Sequence, residues 1–325
     1  MIVPEIRKMA NKPLRMAVLG VGYLGRFHAQ KIKAHPKAEL VGVYDSREEQ
    51  GRSVANEIGV KAFSRLEDLF QNVDAVSIAS TTLTHYDLAA RALKEGMHVH
   101  VEKPMTATLE ESEKLLALAR AGKSFLTVGH IERFNPSVVW LKKEIKKKPE
   151  LLRYIEFHRM APFRLRGSDV SVIYDLMIHD LDLLYFLGES EIKDRDISGQ
   201  ILISADFDAV QGFFNLESGL KAFIHVHRAA PAFQRSLKVV FSDEVVFLNT
   251  QNHEIQRSFP LDPQAPEPMK IETIQLEKSD ALADELDHFI RVIRGEISPK
   301  ITAEDGLRAI RECEVITKVL RKSPS

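Results

Sequence analysis

Three stretches of this 325-residue chain combine residue types at spacings that can do chemistry. The first is Asp175-Leu176-Met177-Ile178-His179-Asp180. If it is helical, Asp175 and His179 are neighbours on one face. A carboxylate beside an imidazole orients the ring and tunes its proton affinity, which suits general acid–base work near neutral pH. The bland reading of the same string is a core helix with a satisfied histidine. The second is Val101-Glu102-Lys103-Pro104, which closes an apolar run. Ligands bind at the C-terminal edge of a parallel sheet, so a lysine leaving that edge and followed by proline is placed to reach one. Its bland reading is a surface lysine in a turn. The third is Gly20-Val21-Gly22-Tyr23-Leu24-Gly25, between an apolar run and a helical stretch. In the dinucleotide reading Gly20 makes the tight turn, Gly22 lets a pyrophosphate approach the backbone, and Gly25 lets helix and strand pack closely. Tyr23 and Leu24 then open a helix whose free N–H groups and positive dipole end face the phosphates. Asp45 follows Gly25 by 20 residues, the offset of the acid that hydrogen-bonds an adenosine ribose. A carboxylate there repels a 2′-phosphate, so NAD is expected in preference to NADP. Arg47 pulls the other way, because an arginine can stack on adenine or bind the phosphate.

These residues need a scaffold, and the hydropathy pattern supplies one. Apolar, β-rich runs at 16–19, 40–44, 75–79, 97–101 and 124–128 alternate with helix-like stretches at 84–95 and 109–121. Thr84 is the expected cap of the first of these helices. Thr108 and Glu111 form a capping-box pattern before the second. The alternation reads as a doubly wound parallel sheet with helical crossovers over residues 1–130, of which 1–13 form an N-terminal extension. After about residue 150 the pattern changes to strands at 153–160, 199–204, 209–216, 221–228, 237–241 and 245–250. A hairpin turn is expected at Glu217-Ser218-Gly219, and Pro260, Pro263, Pro266 and Pro268 mark an exposed loop. Residues 131–325 therefore read as a second α/β domain with an open, mainly antiparallel sheet. Two helices follow, one spaced by Leu282, Leu286, Phe289 and Ile293 and one starting at Thr302; they are expected to be able to pack back on the first domain.

Composition narrows the function classes. Lys+Arg 45 against Asp+Glu 46 leaves a net charge of −1, so no global basic field exists to hold nucleic acid. The lysine run from Lys142 to Lys148 reads as a solvated helix face. One cysteine, Cys313, excludes an intrachain disulfide and fits a reducing compartment. No run of 18 apolar residues occurs and the first residues lack the core of a signal peptide, so a soluble, cytoplasmic protein with no membrane contact is expected. His98 with His100, and His225 with His227, each share a strand face, but no acidic or cysteine partner completes a metal site.

Taken together, the three motifs resemble those of the Gfo/Idh/MocA family of NAD(P)-dependent oxidoreductases, from Met16 to the Ala303-Glu304-Asp305-Gly306 helix start. The resemblance implies a Rossmann domain followed by an α/β domain whose open sheet makes an oligomer interface, with a homodimer or homotetramer expected. It implies that Glu102-Lys103-Pro104 brings Lys103 into the active site, that Asp175 and His179 flank the substrate, and that Ser80, Thr81 and His85 lie beside the nicotinamide. Many relatives carry proline at the position of Thr81. The segment Gly129-His130-Ile131-Glu132-Arg133-Phe134-Asn135-Pro136, and the stretch from Pro162 to Asp175, are similar to the branch that oxidises the 3-hydroxyl of UDP-N-acetylglucosamine, a step toward 3-amino sugars of lipid A. On that resemblance Arg133, Arg164 and Arg166 are expected at the diphosphate, and Asn135 and Asp169 at the sugar. Whether His179 or Lys103 is the base stays open. The alternatives are a dehydrogenase of a free polyol, inositol or aldose, an NAD-dependent glycosidase working through transient oxidation, and a catalytically silent NAD-binding regulator.

Overall fold

The computed structural model describes residues 12–164, 170–261, 264 and 266–322. The chain divides into two units, Met1–Ile131 with Asp280–Ile310, and Glu132–Ser279 with Arg311–Ser325.

In the first unit six short strands, β1 (Leu14–Leu19), β2 (Ala38–Tyr44), β3 (Lys61–Phe63), β4 (Ala75–Ile78), β5 (His98–Glu102) and β6 (Leu126–Gly129), form one parallel sheet in the order β3-β2-β1-β4-β5-β6. The connecting helices are α1 (Tyr23–Ala34), α2 (Glu48–Ile58), α3 (Leu66–Phe70), α4 (His85–Lys94) and α5 (Leu109–Ala121). Strand order reverses beside β1, so the Gly20–Gly25 turn sits at the topological switch point where such sheets bind ligands. The strands are mostly apolar, as helices on both faces require, with Ser77, His100 and Thr127 as buried polar exceptions. Met16 and Val18 of β1 share a core with Ala29 and Ile32 of α1.

Helix α8 (Ala281–Ile293), which follows the second unit in sequence, places Leu286, Phe289, Ile290 and Ile293 in that same core. The Thr108 capping box forms with both reciprocal hydrogen bonds. Thr84 does not cap. A 3₁₀ turn occupies Thr82–Thr84, and the Thr84 hydroxyl donates back to Thr81 O at 2.8 Å.

The second unit holds α6 (Pro136–Lys147), α7 (Ile178–Gly188) and an eight-stranded sheet. Its strands are β7 (Leu152–Met160), β8 (Ile192–Gln200), β9 (Ala209–Leu216), β10 (Lys221–His227), β11 (Gln234–Phe241), β12 (Val245–Asn249), β13 (Glu254–Pro260) and β14 (Met269–Gln275). The order is β14-β13-β12-β11-β7-β10-β9-β8, antiparallel except for the pair β7–β10. Ile155, Phe157, Ala222, Ile224, Val239 and Val246 fill one face. α7 is buried nearly all round, as its run of leucines requires. The division between units falls within α9 (Ala303–Lys322).

Two strand expectations change here. The strand expected at 199–204 starts at Ile192 and stops at Gln200, because the Asp208 carboxylate takes the N–H groups of Leu202, Ile203 and Ser204, which a ladder would need. The proline-marked stretch is flanked by β13 and β14, which sequence reading missed because both are half-exposed and polar.

Candidate active site

The glycine turn has the geometry the motif demands. Gly20 sits at φ +81°, where an L side chain is strained, and an added Cβ would lie 2.5 Å from Ser80 Cα. A Cβ at Gly25 would lie 1.9 Å from Gly20 O. At Gly22 nothing stands within 4 Å, so this side of the turn is open. Gly22 caps α1 with no side-chain bond and the first helical turn carries no acid, leaving donors and positive dipole for an anion. Tyr23 and Leu24 are exposed there. The Asp45 carboxylate, at the end of β2, accepts from Val21 N and Arg47 N, each at 2.9 Å. A carboxylate has about four acceptor positions, so two remain for a ribose. Arg47 is largely exposed, its Nε 3.9 Å from Asp45. The open face at Gly22, the acid-free helix start and the spare acceptors of Asp45 fit a dinucleotide.

Beyond β4, Ser80 Oγ and Thr84 Oγ1 share a hydrogen bond of 2.7 Å. Thr81 adopts φ −72°, the angle a proline ring would impose, so threonine keeps the proline-compatible backbone at this position. His85 opens α4, directly after the 3₁₀ turn Thr82–Thr84. It is buried, with Nδ1 2.9 Å from Pro104 O and Nε2 3.2 Å from Ser80 O. Burial pushes its pKa down against the pull of those carbonyls. The ring lies between the Ser80 and Pro104 carbonyls, and with one N–H when neutral it donates to only one of them. Glu102 ends β5 and accepts from the Lys103 N–H at 3.2 Å.

In the second unit the segment before α7 is wound as a π-helix, Ile173–Met177, and α7 begins at Ile178. Asp175 therefore lies on a widened turn and His179 on the first regular one, in place of the uniform α-helix expected. Single π turns interrupt helices often at functional sites. Asp180, beside His179, is buried and meets Arg159 of β7, with Nε and a terminal nitrogen 3.0 and 2.8 Å from Oδ1. Arg159 also reaches Glu132 at 2.8 Å. Arg235 approaches Glu132 at 3.9 Å and is 44% exposed. Burial raises the Asp180 pKa in spite of Arg159, whereas Glu132, also penalised by burial, is held low by Arg159 and Arg235.

Two substrate expectations are corrected by this packing. Arg133 is buried, and its guanidinium makes two bonds to Asp182, at 2.9 and 2.6 Å, with its centre 4.8 Å from the Phe186 ring. It is committed to the fold and not presented to a diphosphate. Asn135 caps α6, accepting from Ser137 N at 3.0 Å and donating to Thr250 O at 2.9 Å. Arg164 stays exposed with its guanidinium 5.1 Å from the Phe233 ring. Arg166 and Asp169 lie outside the described residues. Among the described residues no group of three or more His, Cys, Asp or Glu is arranged to hold a metal ion, and no helix is long and apolar enough to cross a membrane.

Comparison with known proteins decides the family. Residues 14–130 match the model of an oxidoreductase family with an NAD-binding Rossmann fold. The chain is 36% identical over 283 residues to the UDP-N-acetylglucosamine 3-dehydrogenase of Acidithiobacillus ferrooxidans, covering 86% of this chain and 88% of that one. The chain belongs to the Gfo/Idh/MocA oxidoreductase family. A solved structure of that relative, GnnA, superimposes with a TM-score of 0.89 at 32% identity, over 95% of this chain and 98% of that one. The scyllo-inositol 2-dehydrogenase (NAD(+)) of Bacillus subtilis is 29% identical over 313 residues, 90% of each chain.

Within the family frame, sequence reading missed Arg159, Asp180, Glu132 and Arg235. A signal existed for one of them: Arg159 stands on the inward face of β7, in line with Ile155 and Phe157. A charged residue in a buried alternation implies a buried partner.

Proposed function

We propose that this oxidoreductase oxidises a secondary sugar hydroxyl with NAD, the 3-hydroxyl of UDP-N-acetylglucosamine, giving the 3-keto sugar nucleotide. The identity shared with GnnA across nearly the whole chain carries the substrate assignment. Gly20, Gly22, Gly25, Asp45 and the start of α1 would hold the cofactor, with Ser80, Thr81 and Glu102 beside the nicotinamide. When bound, the nicotinamide supplies the hydride acceptor. His179 takes the proton of the hydroxyl, Asp175 orients the ring or the sugar, and Lys103 donates to the hydroxyl oxygen. With Arg133 and Asn135 engaged in the fold, Arg164 is left among the described candidates for the diphosphate, joined by Arg235. Asp45 favours NAD over NADP.

The product calls for an amine-transferring enzyme, in keeping with a role in 3-amino sugars of lipid A. The apolar residues on the open face of the second unit's sheet support a homo-oligomer. A second reading, oxidation of a free inositol or polyol, is favoured by the identity to the scyllo-inositol enzyme. Absorbance of NADH decides between them. With UDP-N-acetylglucosamine, NAD and a carbonyl trap, NADH should accumulate. Accumulation with free inositols and none with the nucleotide sugar overturns the first reading.

A further inference from the structure

Behind Lys103 runs a buried polar chain that no motif announces. Glu102 Oε1 lies 3.0 Å from His28 Nε2 of α1. His28 Nδ1 lies 2.9 Å from Ser77 Oγ of β4. Ser77 Oγ lies 3.3 Å from His100 Nδ1 of β5. His100 Nε2 faces Glu285 of α8 at 3.6 Å. His28, Ser77 and His100 are at most 1% exposed.

The donors can be assigned from the acceptors. An ionised Glu102 accepts only, so His28 donates through Nε2–H. In the neutral ring Nδ1 then accepts, from the Ser77 O–H. That leaves the Ser77 oxygen to accept from His100 Nδ1–H. Every donor in the chain points toward Glu102. Its far end is Glu285, 2% exposed. A one-directional chain of this kind serves to hold the carboxylate on which it ends.

We propose that His28, braced by Ser77 and His100, is a positioning residue for Lys103: it holds and aims the Glu102 carboxylate, and that carboxylate anchors the Lys103 backbone. The charge balance agrees. Burial opposes the Glu102 anion, but the hydrogen bond from His28 counters it and the Lys103 charge acts with that bond, so its pKa stays below the usual carboxylate value. The titratable groups acting on Glu102 are His28 from α1, His100 from its own strand, His85 from α4 and Lys103. In the catalytic reading above, on which only this consequence rests, an anchored Lys103 donates to the hydroxyl oxygen and leaves proton removal to His179.

The test needs no substrate. Lys103 labelling by trinitrobenzenesulfonate is followed against pH by peptide mass spectrometry. His28→Leu should free the Lys103 turn and make Lys103 label several-fold faster than in the parent at each pH. His28→Gln, which keeps a donor, should restore the parent rate, and Ser77→Ala should give a smaller increase in the same direction. Ser77→Ala decides the matter if His28→Leu does not fold. Parent-like labelling in His28→Leu, or in Ser77→Ala where it alone folds, or no recovery in His28→Gln, overturns the proposal. A parent enzyme that labels as expected yet reduces no NAD with UDP-N-acetylglucosamine counts against the substrate assignment alone.

Discussion

Arg159 and Asp180 meet inside the second unit with two nitrogen–oxygen contacts of 2.8 and 3.0 Å to a single carboxylate oxygen, one residue from His179. The pair ties the first turn of α7 to the middle of the sheet. Removing one partner leaves a buried charge, which typically costs about 3–5 kcal/mol. Arg159→Leu should therefore lower the urea midpoint by that equivalent. Joint replacement of Arg159, Asp180 and Glu132 by apolar residues should recover much of the stability, because the charge that then loses a partner is Arg235, which is 44% exposed. Turnover should stay low in both, since α7 loses the tie that sets His179. An unchanged midpoint in Arg159→Leu would show that the pair adds nothing.

Gly22 and Gly25 separate cofactor binding from folding. A Cβ at Gly25 would overlap Gly20 O at 1.9 Å, whereas one at Gly22 meets nothing within 4 Å. Gly25→Ala should lower the melting temperature and abolish NADH binding together. Gly22→Ala should melt like the parent but bind NADH at least tenfold more weakly, because its methyl occupies the approach of the pyrophosphate. Fluorescence titration beside thermal melts reads both. Full NADH affinity in Gly22→Ala would remove the phosphates from this turn.

Local signals were readable in the chain and tertiary ones were not. The Thr108–Glu111 box and the glycine turn depend on neighbours a few residues away, and the parallel sheet follows from alternating apolar runs. Arg133 looked like a phosphate ligand because its partner Asp182 is 49 residues distant. His28 looked like any helix residue because Ser77 and Glu102 reach it only through the sheet. β8, with Lys193, Asp194, Arg195 and Asp196 in succession, has no apolar alternation to announce it. The catalytic motifs were legible as residue types; the charges that hold them were not.

Asp45 should set cofactor choice. In the NAD reading its carboxylate would bond the adenosine ribose and repel a 2′-phosphate, and Arg47 is exposed nearby. Asp45→Ser removes the repulsion and leaves the guanidinium. The ratio of NADP to NAD affinity should rise at least tenfold, equivalent to about 1.4 kcal/mol. Isothermal titration with both cofactors checks it. A ratio that does not move would place the ribose elsewhere.

His100 makes stability depend on pH. Burial lowers its pKa from 6.5 to about 4, against the pull of Glu102. Between those values the unfolded chain holds a proton that the folded chain refuses, so stability falls as pH drops. Between pH 6.5 and 5 this group alone accounts for about 2 kcal/mol. His288, lowered to about 4 by burial and by Lys300 and Arg291, acts with the same sign. Urea melts at pH 7.5 and 5 should show the loss, and His100→Gln should reduce the difference by about 2 kcal/mol. An equal difference in parent and variant would assign the loss to other groups.

The open face of the second unit's sheet should bind another copy of the chain. Register places Asp196, Phe213, Phe223, Glu156, Lys238 and Phe247 in one row across six strands. The Phe213 and Phe223 rings lie tilted against each other with centroids 4.8 Å apart, Phe213 and Phe247 are about half exposed, and Ile271 on the last strand is 68% exposed. Exposed aromatic residues clustered on one face mark an association surface, because leaving them in water costs free energy that burial recovers. Phe213→Glu sets a carboxylate opposite Asp196, so it removes apolar area and adds repulsion across the strand pair. Sedimentation equilibrium should give a dimer or tetramer for the parent and a smaller species for the variant, with the melt of the Rossmann unit unchanged. A monomeric parent would mean that this face stays wet.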